Sequence, residues 1–231
     1  ADQLERAALA YLCSPSNPQG AVASLNQLKA YVRLARDLDF ILATDECYCE
    51  IYCGAPPPGI IEACATDDGH LRNVIAFHSL SKRSNVPGLR SGFVVGDSDL
   101  IMDFARLRQY TGGASPGPIL AAATSLWKDE AHVKANRALY RDKFSDAEKI
   151  IGSHPHFYRP DGGFYLWLKV GDGEETARRL WASAGVKVMP GAYLSREGGN
   201  PPGAAYIRLA LVHDRAKTTE ALTRLATHIQ E

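Results

Sequence analysis

The sequence predicts an α/β protein with a mostly parallel sheet, followed by a small α+β domain. Apolar runs at Leu9–Cys13 and at residues 40–43 flank a helical pattern, and this strand–helix–strand order is typical of a parallel βαβ unit. A long charged helical segment at 129–151 then precedes shorter strands and helices. We therefore predict a large domain over residues 1–130 and a small C-terminal domain over residues 131–231.

The first predicted helix is amphipathic and has a clear N-terminus. Ser24 and Gln27 fit a capping box, and apolar residues recur behind them at helical spacing as far as Leu38. The second strand of the unit should deliver Asp45 at its end, because the apolar run stops just before this residue.

Further along the large domain, short apolar runs at 74–77 and 93–95 predict two more strands. Asp99 is predicted to cap the helix that follows. Residues 110–118 are rich in glycine, serine and proline, which predicts a flexible loop. The next segment, 119–127, is apolar with many small residues, which predicts a buried helix.

The small domain is predicted to alternate short strands with helices. The strands are expected at 163–168, 186–189 and 206–211, and the helices at 174–184 and after the capping residue Asp214. Gly185 should close the first of these helices, because glycine readily adopts the left-handed conformation that ends helices.

The composition is that of an ordinary globular protein and excludes several classes of function. The 231 residues are 45% hydrophobic and 23% charged, and 26 basic residues balance 26 acidic ones. A balanced charge argues against nucleic acid as the main partner. No apolar run reaches the length of about 18 residues that a membrane helix needs. We therefore expect neither a nucleic acid nor a membrane as a partner.

Cysteine usage predicts the compartment. The chain has five cysteines, an odd number in a chain too long to depend on a disulfide framework. Cys47, Cys49 and Cys53 lie close together, but their spacing lacks the C-x2-C pairs of structural zinc sites. We predict free thiols, no metal, and a cytoplasmic location.

A lysine that follows a buried strand is the strongest chemical signal in the sequence. Lys82 comes just after the strand predicted at 74–77, where desolvation favours a neutral amine, a nucleophile that forms a Schiff base with an aldehyde. Ser79, Ser81 and Arg90 offer the hydroxyl and guanidinium donors that a phosphate binds. Pyridoxal phosphate carries both an aldehyde and a phosphate. An ordinary polar surface loop is the alternative that this stretch alone leaves open.

Polar residues at other strand ends match the remaining demands of this cofactor. In open α/β sheets, ligands bind at the carboxyl ends of the strands, where the sequence places Asn17, Asp45 and Tyr48. The carboxylate of Asp45 suits a protonated pyridine nitrogen, and Asn17 and Tyr48 suit a phenolic oxygen. Arg208 is a cation within an apolar strand and suits a bidentate contact with a substrate carboxylate. A solvent-facing arginine on an edge strand is the alternative.

The motifs that contain these residues, taken together, resemble the class I and II aminotransferases of pyridoxal-phosphate fold type I. They are Asn17-Pro18-Gln19-Gly20, Asp45-x-x-Tyr48, Ser79-x-Ser81-Lys82, Gly88-Leu89-Arg90-x-Gly92, Pro190-Gly191 and Ile207-Arg208-Leu209. Each motif alone is a weak signal, and their order along the chain makes the resemblance specific.

The resemblance implies a role for each predicted site residue. The residues implied to bind pyridoxal 5'-phosphate are Asn17, Asp45, Tyr48, Ser79, Ser81, Lys82 and Arg90. Lys82 is the implied Schiff-base lysine and proton carrier, with Asp45 and Tyr48 also in the catalytic set. Arg208 and Asn17 are implied to bind the substrate.

Longer stretches are similar to one branch of this family, the succinyldiaminopimelate aminotransferases of lysine biosynthesis. These stretches are residues 45–52, 78–93 and 186–197. The similarity implies amino-group exchange between an amino acid and a 2-oxo acid, namely N-succinyl-diaminopimelate and 2-oxoglutarate. Two alternatives stay open. One is another fold-type-I enzyme, such as a different aminotransferase or a C–S lyase, and the other is a non-catalytic domain that retains the fold.

The resemblance also implies a longer protein that forms a homodimer. The chain begins at Ala1, shortly before its first predicted strand, whereas family members carry an N-terminal part with further strands and part of the cofactor site. We therefore expect an incomplete large domain with Leu9–Cys13 as an exposed edge strand. We also expect the chain as printed to be inactive alone.

Overall fold

A computed structural model describes residues 4–112, 114–196, 198–199 and 201–229. The chain forms two compact units. The first comprises the chain up to Ser16 together with residues 21–137, and the second comprises residues 17–20 together with the chain from Ala138 onward. The boundary falls within a helix that begins at Ala131, the residue at which the predicted small domain starts.

The first unit is built on a sheet whose strand order follows the sequence. Its strands are β1 (Leu9–Cys13), β2 (Ile41–Asp45), β3 (Val74–Ser79) and β4 (Gly92–Gly96). The first three are parallel, and β4 is antiparallel to β3. The predicted mostly parallel sheet is therefore confirmed. As expected, β1 forms an edge of this sheet, with Tyr11 78% exposed.

Six helices occur among the described residues of the first unit or begin there. They are α1 (Leu25–Asp37), α2 (Ile60–Ala65), α3 (Leu80–Arg83), α4 (Ser98–Thr111), α5 (Gly117–Lys128) and α6 (Ala131–Ile151). The predicted capping box of α1 is present, with Ser24 and Gln27 bonded reciprocally. The stripe Leu28, Val32 and Ala35 is buried in the core with residues of β2, β3 and α2, as an amphipathic helix requires.

The second unit combines a small antiparallel sheet with helices. Its elements after α6 are β5 (Tyr165–Lys169), α7 (Gly173–Arg179), β6 (Met189–Pro190), β7 (Tyr206–Ala210) and α8 (Arg215–Ala226). The strand order is β5-β7-β6. Phe144, Leu180, Ile207 and Leu222 are almost fully buried, so this unit has a hydrophobic core of its own.

In the second unit, two helix ends lie where the sequence predicts them, but one strand lies elsewhere. Gly185 closes the helical turn after α7 with a φ of 64°, and Asp214 caps α8 by accepting a hydrogen bond from the backbone N–H of Lys217. The strand predicted at 186–189 is wrong in position, since β6 comprises only Met189–Pro190. Pairing positions on the neighbouring strand, rather than local apolar character, decide where such a strand begins. Glu197, the last residue of the stretch 186–197, lies outside the described residues.

Two predictions about the segments after β4 are wrong in detail. Asp97 caps α4 by accepting a hydrogen bond from the backbone N–H of Asp99, so Asp99 lies in the first turn and is not the cap. The loop predicted at 110–118 is shorter, because α4 extends to Thr111 and α5 begins at Gly117. Gly113 lies outside the described residues.

The helix predicted to be buried, α5, is largely exposed. Ala123 is its only buried residue, and Leu120 is 52% exposed. The neighbouring α4 has no buried residue, and Tyr110 is 85% exposed. The prediction that this helix is buried is therefore wrong, because an apolar helix is buried only where another part of the protein covers it. In the described part of the chain, no helix has the length and apolar character needed to cross a membrane.

Candidate functional site

The carboxyl end of β2 carries an oriented carboxylate and a buried phenol ring. Asp45 is the last residue of β2, and its Oδ1 accepts a hydrogen bond from the backbone N–H of Cys47 at 3.0 Å. This local bond fixes the carboxylate at the strand end. Tyr48 follows in the same turn and is 7% exposed, and its carbonyl accepts a hydrogen bond from the N–H of Ile51 at 2.9 Å. Both groups therefore lie at the edge of the sheet where open α/β proteins bind ligands.

The carboxyl end of β3 places two hydroxyl groups side by side. Ser79 is the N-cap of α3, and its Oγ accepts a hydrogen bond from the backbone N–H of Ser81 at 3.0 Å. The two Oγ atoms are 2.9 Å apart. Serine is a favoured N-cap, so the S-x-S sequence itself produces this compact pair. Two hydroxyls in such an arrangement can donate to the oxygens of one phosphate.

Lys82 lies on α3, a helix of four residues that begins directly after Ser79. Its Nζ is 5.9 Å from the centroid of the Tyr48 ring, at the outer limit of about 6 Å for a cation–π contact. The Lys82 side chain is partly buried. Its backbone carbonyl accepts a hydrogen bond from the side-chain amide of Asn136 at 3.3 Å. The amine of Lys82 is therefore close to the phenol at the end of the neighbouring strand.

Arg90 lies two residues before Gly92, the residue of β4 that pairs with Ser79 at the end of β3. Gly92 pairs with Ser79, and a Cβ at Gly92 would lie 2.3 Å from the carbonyl oxygen of His78, which explains the glycine of the R-x-G motif. Arg90 itself is exposed. Its Nη1 donates to the carbonyl of Pro87 at 2.9 Å, so the guanidinium lies along its own loop in this structure.

The second unit contains a separate pair, Asn17 and Arg208. Arg208 Nη1 donates to Asn17 Oδ1 at 2.9 Å, and the guanidinium carbon is 4.3 Å from the centroid of the Tyr165 ring. Stacking and a planar fork of donors are the properties that suit arginine to carboxylates. Gly20 completes the N-P-x-G motif with a φ of 71°, and a Cβ there would lie 2.6 Å from the carbonyl oxygen of Gly162. Only glycine tolerates that combination.

The predicted site residues therefore fall into two groups. The residues at the ends of the adjacent strands β2 and β3 in the first unit are Asp45, Tyr48, Ser79, Ser81 and Lys82. The group in the second unit consists of Asn17 and Arg208. Arg90 belongs to the first unit, two residues before the pairing partner of Ser79.

A buried carboxylate beside the first group escaped the sequence analysis. Glu46 is 6% exposed, and its Oε1 accepts a hydrogen bond from the backbone N–H of Ile60 at 2.8 Å. Its Oε2 is 3.4 Å from His78 Nε2, and the His78 ring stacks on Phe93 with centroids 4.7 Å apart. Because Glu46 follows Asp45 and His78 precedes the hydroxyl pair, this contact joins the two strand ends. Adjacency to the predicted site residues is the only signal of it in the sequence.

A second group that escaped the sequence analysis surrounds the residue after Lys82. Arg83 is 5% exposed, and its guanidinium contacts the carboxylate of Glu130 and lies 3.8 Å from Glu50 Oε1. Arg137 Nη2 donates to Glu50 Oε2 at 2.7 Å. A buried cation requires partners of this kind. The partners of Arg83 are distant in sequence, so the motif that contains it does not reveal them.

The thiols near these groups are shielded from ionisation. Burial, together with the smaller effect of the carboxylates of Glu50 and Glu46, raises the pKa of Cys49 to about 12. Burial also raises the pKa of Cys47, with a contribution from its hydrogen bond to Asp45. The thiolate is the reactive form of cysteine, so neither thiol is a nucleophile at neutral pH. Among the described residues, no cluster of histidine, cysteine and acidic side chains is arranged to hold a metal ion.

Comparison with known proteins identifies the family to which these motifs point. Residues 2–225 match the model of the family described as aminotransferase class I and II. The chain is 32% identical over 220 residues to the 4-dedimethylamino-4-oxo-anhydrotetracycline transaminase OxyQ of Streptomyces rimosus, covering 93% of this chain and 58% of that protein. It is 31% identical over 232 residues to the LL-diaminopimelate aminotransferase of Aquifex aeolicus, covering 97% of this chain and 57% of that protein.

A solved structure agrees with these sequence comparisons. The crystal structure of an aminotransferase from Neisseria meningitidis Z2491 superposes with a TM-score of 0.93 and 41% sequence identity. The match covers 99% of this chain and 59% of that chain. The chain therefore spans between half and three fifths of the length of each of these three proteins.

Proposed function

The chain belongs to the class I and II aminotransferases, and on this premise we propose that the protein exchanges an amino group between an amino acid and a 2-oxo acid. The observation that carries this proposal is the position of Lys82. Its amine lies beside the Tyr48 ring at a strand end. The Asp45 carboxylate ends β2, and the hydroxyl pair formed by Ser79 and Ser81 precedes the lysine where β3 passes into α3.

Members of this family use pyridoxal phosphate, and the donor set of the first unit fits that cofactor. The carboxylate of Asp45 suits the ring nitrogen, and the phenol of Tyr48 suits the ring oxygen. The paired hydroxyls suit the phosphate, and the amine of Lys82 suits the aldehyde. When bound, the cofactor supplies an aldehyde and a ring that withdraws electrons from the carbon bearing the amino group.

Lys82 is the proton carrier in this proposal. With the cofactor bound, the donor amine would replace Lys82 at the aldehyde; the freed Nζ would then take the proton from Cα of the donor and pass it to the cofactor, and in the second half it would carry the proton back to Cα of the new amino acid. Partial burial and the neighbouring Tyr48 ring restrict where this amine can move. A positioned amine of this sort acts on both half-reactions, as an exchange between two substrates requires.

The remaining residues hold and orient the reactants. Asp45 keeps the ring nitrogen protonated, because an ion pair favours both charges. Ser79, Ser81 and Arg90 are assigned to the phosphate through charge-assisted hydrogen bonds. The two residues of the second unit are assigned to the substrate: Arg208 is the proposed partner of the α-carboxylate, and Asn17 supports Arg208 by accepting a hydrogen bond from its Nη1.

The finer proposal concerns the substrate. Stretches 45–52, 78–93 and 186–197 are similar to succinyldiaminopimelate aminotransferases, and a relative is named for LL-diaminopimelate. We assign the amino donor as N-succinyl-diaminopimelate and the acceptor as 2-oxoglutarate, in the biosynthesis of lysine. The homodimer that the resemblance implies and the cytoplasmic location that the cysteine usage predicts are part of the same proposal.

The test uses the complete gene product. Its absorbance spectrum reports bound pyridoxal phosphate, and a panel of donors follows: N-succinyl-diaminopimelate, LL-diaminopimelate, glutamate and cystathionine, each with and without 2-oxoglutarate. We expect glutamate to form from 2-oxoglutarate with the succinylated donor. Ammonia and pyruvate released from cystathionine, without amino exchange, would identify a C–S lyase instead. Preference for LL-diaminopimelate would correct the substrate and leave the reaction class in place.

A further inference from the structure

The helix that carries Lys82 is too short to position it unaided. α3 comprises only Leu80–Arg83, and isolated helices shorter than about 12 residues are marginal in water. Whatever holds the lysine in place must therefore be a tertiary contact. Two residues of α3 are buried, Leu80 and Arg83, and Arg83 forms ion pairs with residues outside the helix.

Arg83 anchors α3 through a guanidinium that is almost fully buried. Nη1 donates to the carbonyl of Leu126 at 2.9 Å, and Nη2 contacts the carboxylate of Glu130. The guanidinium carbon also lies 5.1 Å from the ring of Trp127. Leu126 and Trp127 lie at the end of α5, and Glu130 directly precedes α6, so Arg83 fixes α3 to the end of α5 and to the connection that leads into α6. A buried cation without such partners would be strongly destabilising.

Glu50 connects this anchor to the turn that carries Tyr48. Its Oε1 is 3.8 Å from Arg83 Nε, and its Oε2 accepts a hydrogen bond from Arg137 Nη2 at 2.7 Å. Arg137 Nε also donates to the backbone carbonyl of Glu50 at 2.8 Å. One carboxylate is therefore shared by two arginines, and the turn is held by its backbone as well as its side chain.

We propose that Glu50 and Arg83 are positioning residues that set the distance between the amine of Lys82 and the phenol of Tyr48. Glu50 lies two residues after Tyr48, and Arg83 lies one residue after Lys82. The contact between Glu50 and Arg83 therefore ties together the backbones that carry the two functional side chains. This inference rests on the proposed aminotransferase function, and neither residue touches the reacting atoms.

The informative substitution is Glu50→Gln, which keeps the size of the side chain and removes its charge. The two arginines then share a neutral amide, and the link between α3 and the turn weakens. Misplacement of a reacting group by about 1 Å can cost roughly 100-fold in rate. We therefore expect kcat to fall by about 10-fold to 100-fold, with little change in KM, because Glu50 has no role in substrate binding.

A matched control is Glu148→Gln. Glu148 forms a glutamate–arginine pair with Arg159 at 3.0 Å in the second unit, so the substitution removes the same chemical contact from a place remote in sequence from α3. Arg83→Lys tests the other partner and keeps the positive charge. All variants are made in the complete gene product, and their melting temperatures and cofactor content are measured first.

The second readout does not depend on turnover. The cofactor-free protein is treated with trinitrobenzenesulfonate, and the rate of labelling at Lys82 is followed by peptide mass spectrometry. We expect faster labelling of Lys82 in Glu50→Gln and Arg83→Lys than in the unsubstituted protein and in Glu148→Gln. If Glu50→Gln matches Glu148→Gln in kcat and in labelling, Glu50 does not position Lys82.

The outcomes separate this inference from the function on which it rests. Absence of amino transfer in the unsubstituted protein would overturn the proposed function, and the labelling rates would then decide the positioning of Lys82 by themselves. A fall in kcat that disappears when rates are expressed per folded, cofactor-loaded molecule would overturn the positioning role. A fall that persists, together with faster labelling, supports it.

Discussion

The residues assigned to the cofactor and those assigned to the substrate are held in different ways. In the first unit, Asp45 and Ser79 are each bonded to the backbone N–H two residues further along the chain. In the second unit, Arg208 is held through side chains, by the amide of Asn17 and by stacking on Tyr165. One group is fixed by local backbone geometry, and the other is a side chain at the end of several rotatable bonds.

This difference in how the side chains are held suits the two proposed roles, action on a bound cofactor and binding of exchangeable substrates. A group that acts on a bound cofactor gains from a fixed position, because rate depends steeply on the placement of reacting atoms. A group that must release one carboxylate and grip another gains from contacts that can be exchanged. Substitutions in the first group should therefore lower kcat, and substitutions in the second should weaken both substrates.

The largest effect is expected for Lys82→Ala, which removes the amine assigned to proton transfer. Turnover should be abolished, because Lys82 supplies the amine beside Tyr48 to which both proton transfers are assigned. The measurement is amino-group exchange by the complete gene product with saturating cofactor. Transamination at the rate of the unsubstituted protein would show that Lys82 is not the proton carrier.

The next effect is expected for Asp45→Ala. Losing an electrostatic stabiliser of the transition state typically costs roughly 100-fold to 1000-fold in rate, and we expect this loss in kcat rather than in cofactor affinity. Asp68→Ala is a suitable control, because its carboxylate pairs with Arg36 at a surface position. A variant with unchanged kcat would show that Asp45 does not face the ring nitrogen.

Arg208→Lys should have a smaller effect of a different kind. Lysine cannot reproduce a bidentate contact with a carboxylate, and one charge-assisted hydrogen bond is worth roughly 1.5–3 kcal/mol. We therefore expect kcat/KM to fall by about 10-fold to 100-fold for the amino acid and the 2-oxo acid alike. Arg215→Lys, in a surface pair with Asp142, provides the control. If only one substrate is affected, Arg208 binds a distal group and not the shared α-carboxylate.

The smallest effect is expected for Cys49→Ala, which tests whether water is excluded from the residues around the first group. Burial raises the pKa of the Cys49 thiol from 9.0 to about 12, so this thiol favours the folded state below pH 9.0. That contribution is lost as the pH rises from 9.0 toward 12, because the unfolded chain ionises first. The melting temperature is measured below pH 9.0 and again between pH 9.0 and 12. We expect the decrease between the two conditions to be smaller for Cys49→Ala than for the unsubstituted protein. Equal decreases would indicate that water reaches Cys49 in the folded protein.

Much of the fold and of the candidate site was predictable because its signals are local. The capping box at Ser24 and the cap at Asp214 act within one helical turn. The position of Asp45 follows from the end of an apolar run. The hydroxyl pair at Ser79 and Ser81 results from an N-cap within its own motif. In each case the residues that decide the structure are neighbours along the chain.

The sequence by itself therefore determined the strands of a mostly parallel sheet, the N-terminal caps of α1 and α8, and the identity of the residues at the strand ends. Only the tertiary structure decided the exposure of α5, the partners of Glu46 and Arg83, and the pairing of Asn17 with Arg208. The physical reason is the distance along the chain. Asn17 and Arg208 are separated by 191 positions, and Arg83 and Glu130 by 47. Contacts of that range depend on how whole elements pack, and no local pattern encodes them.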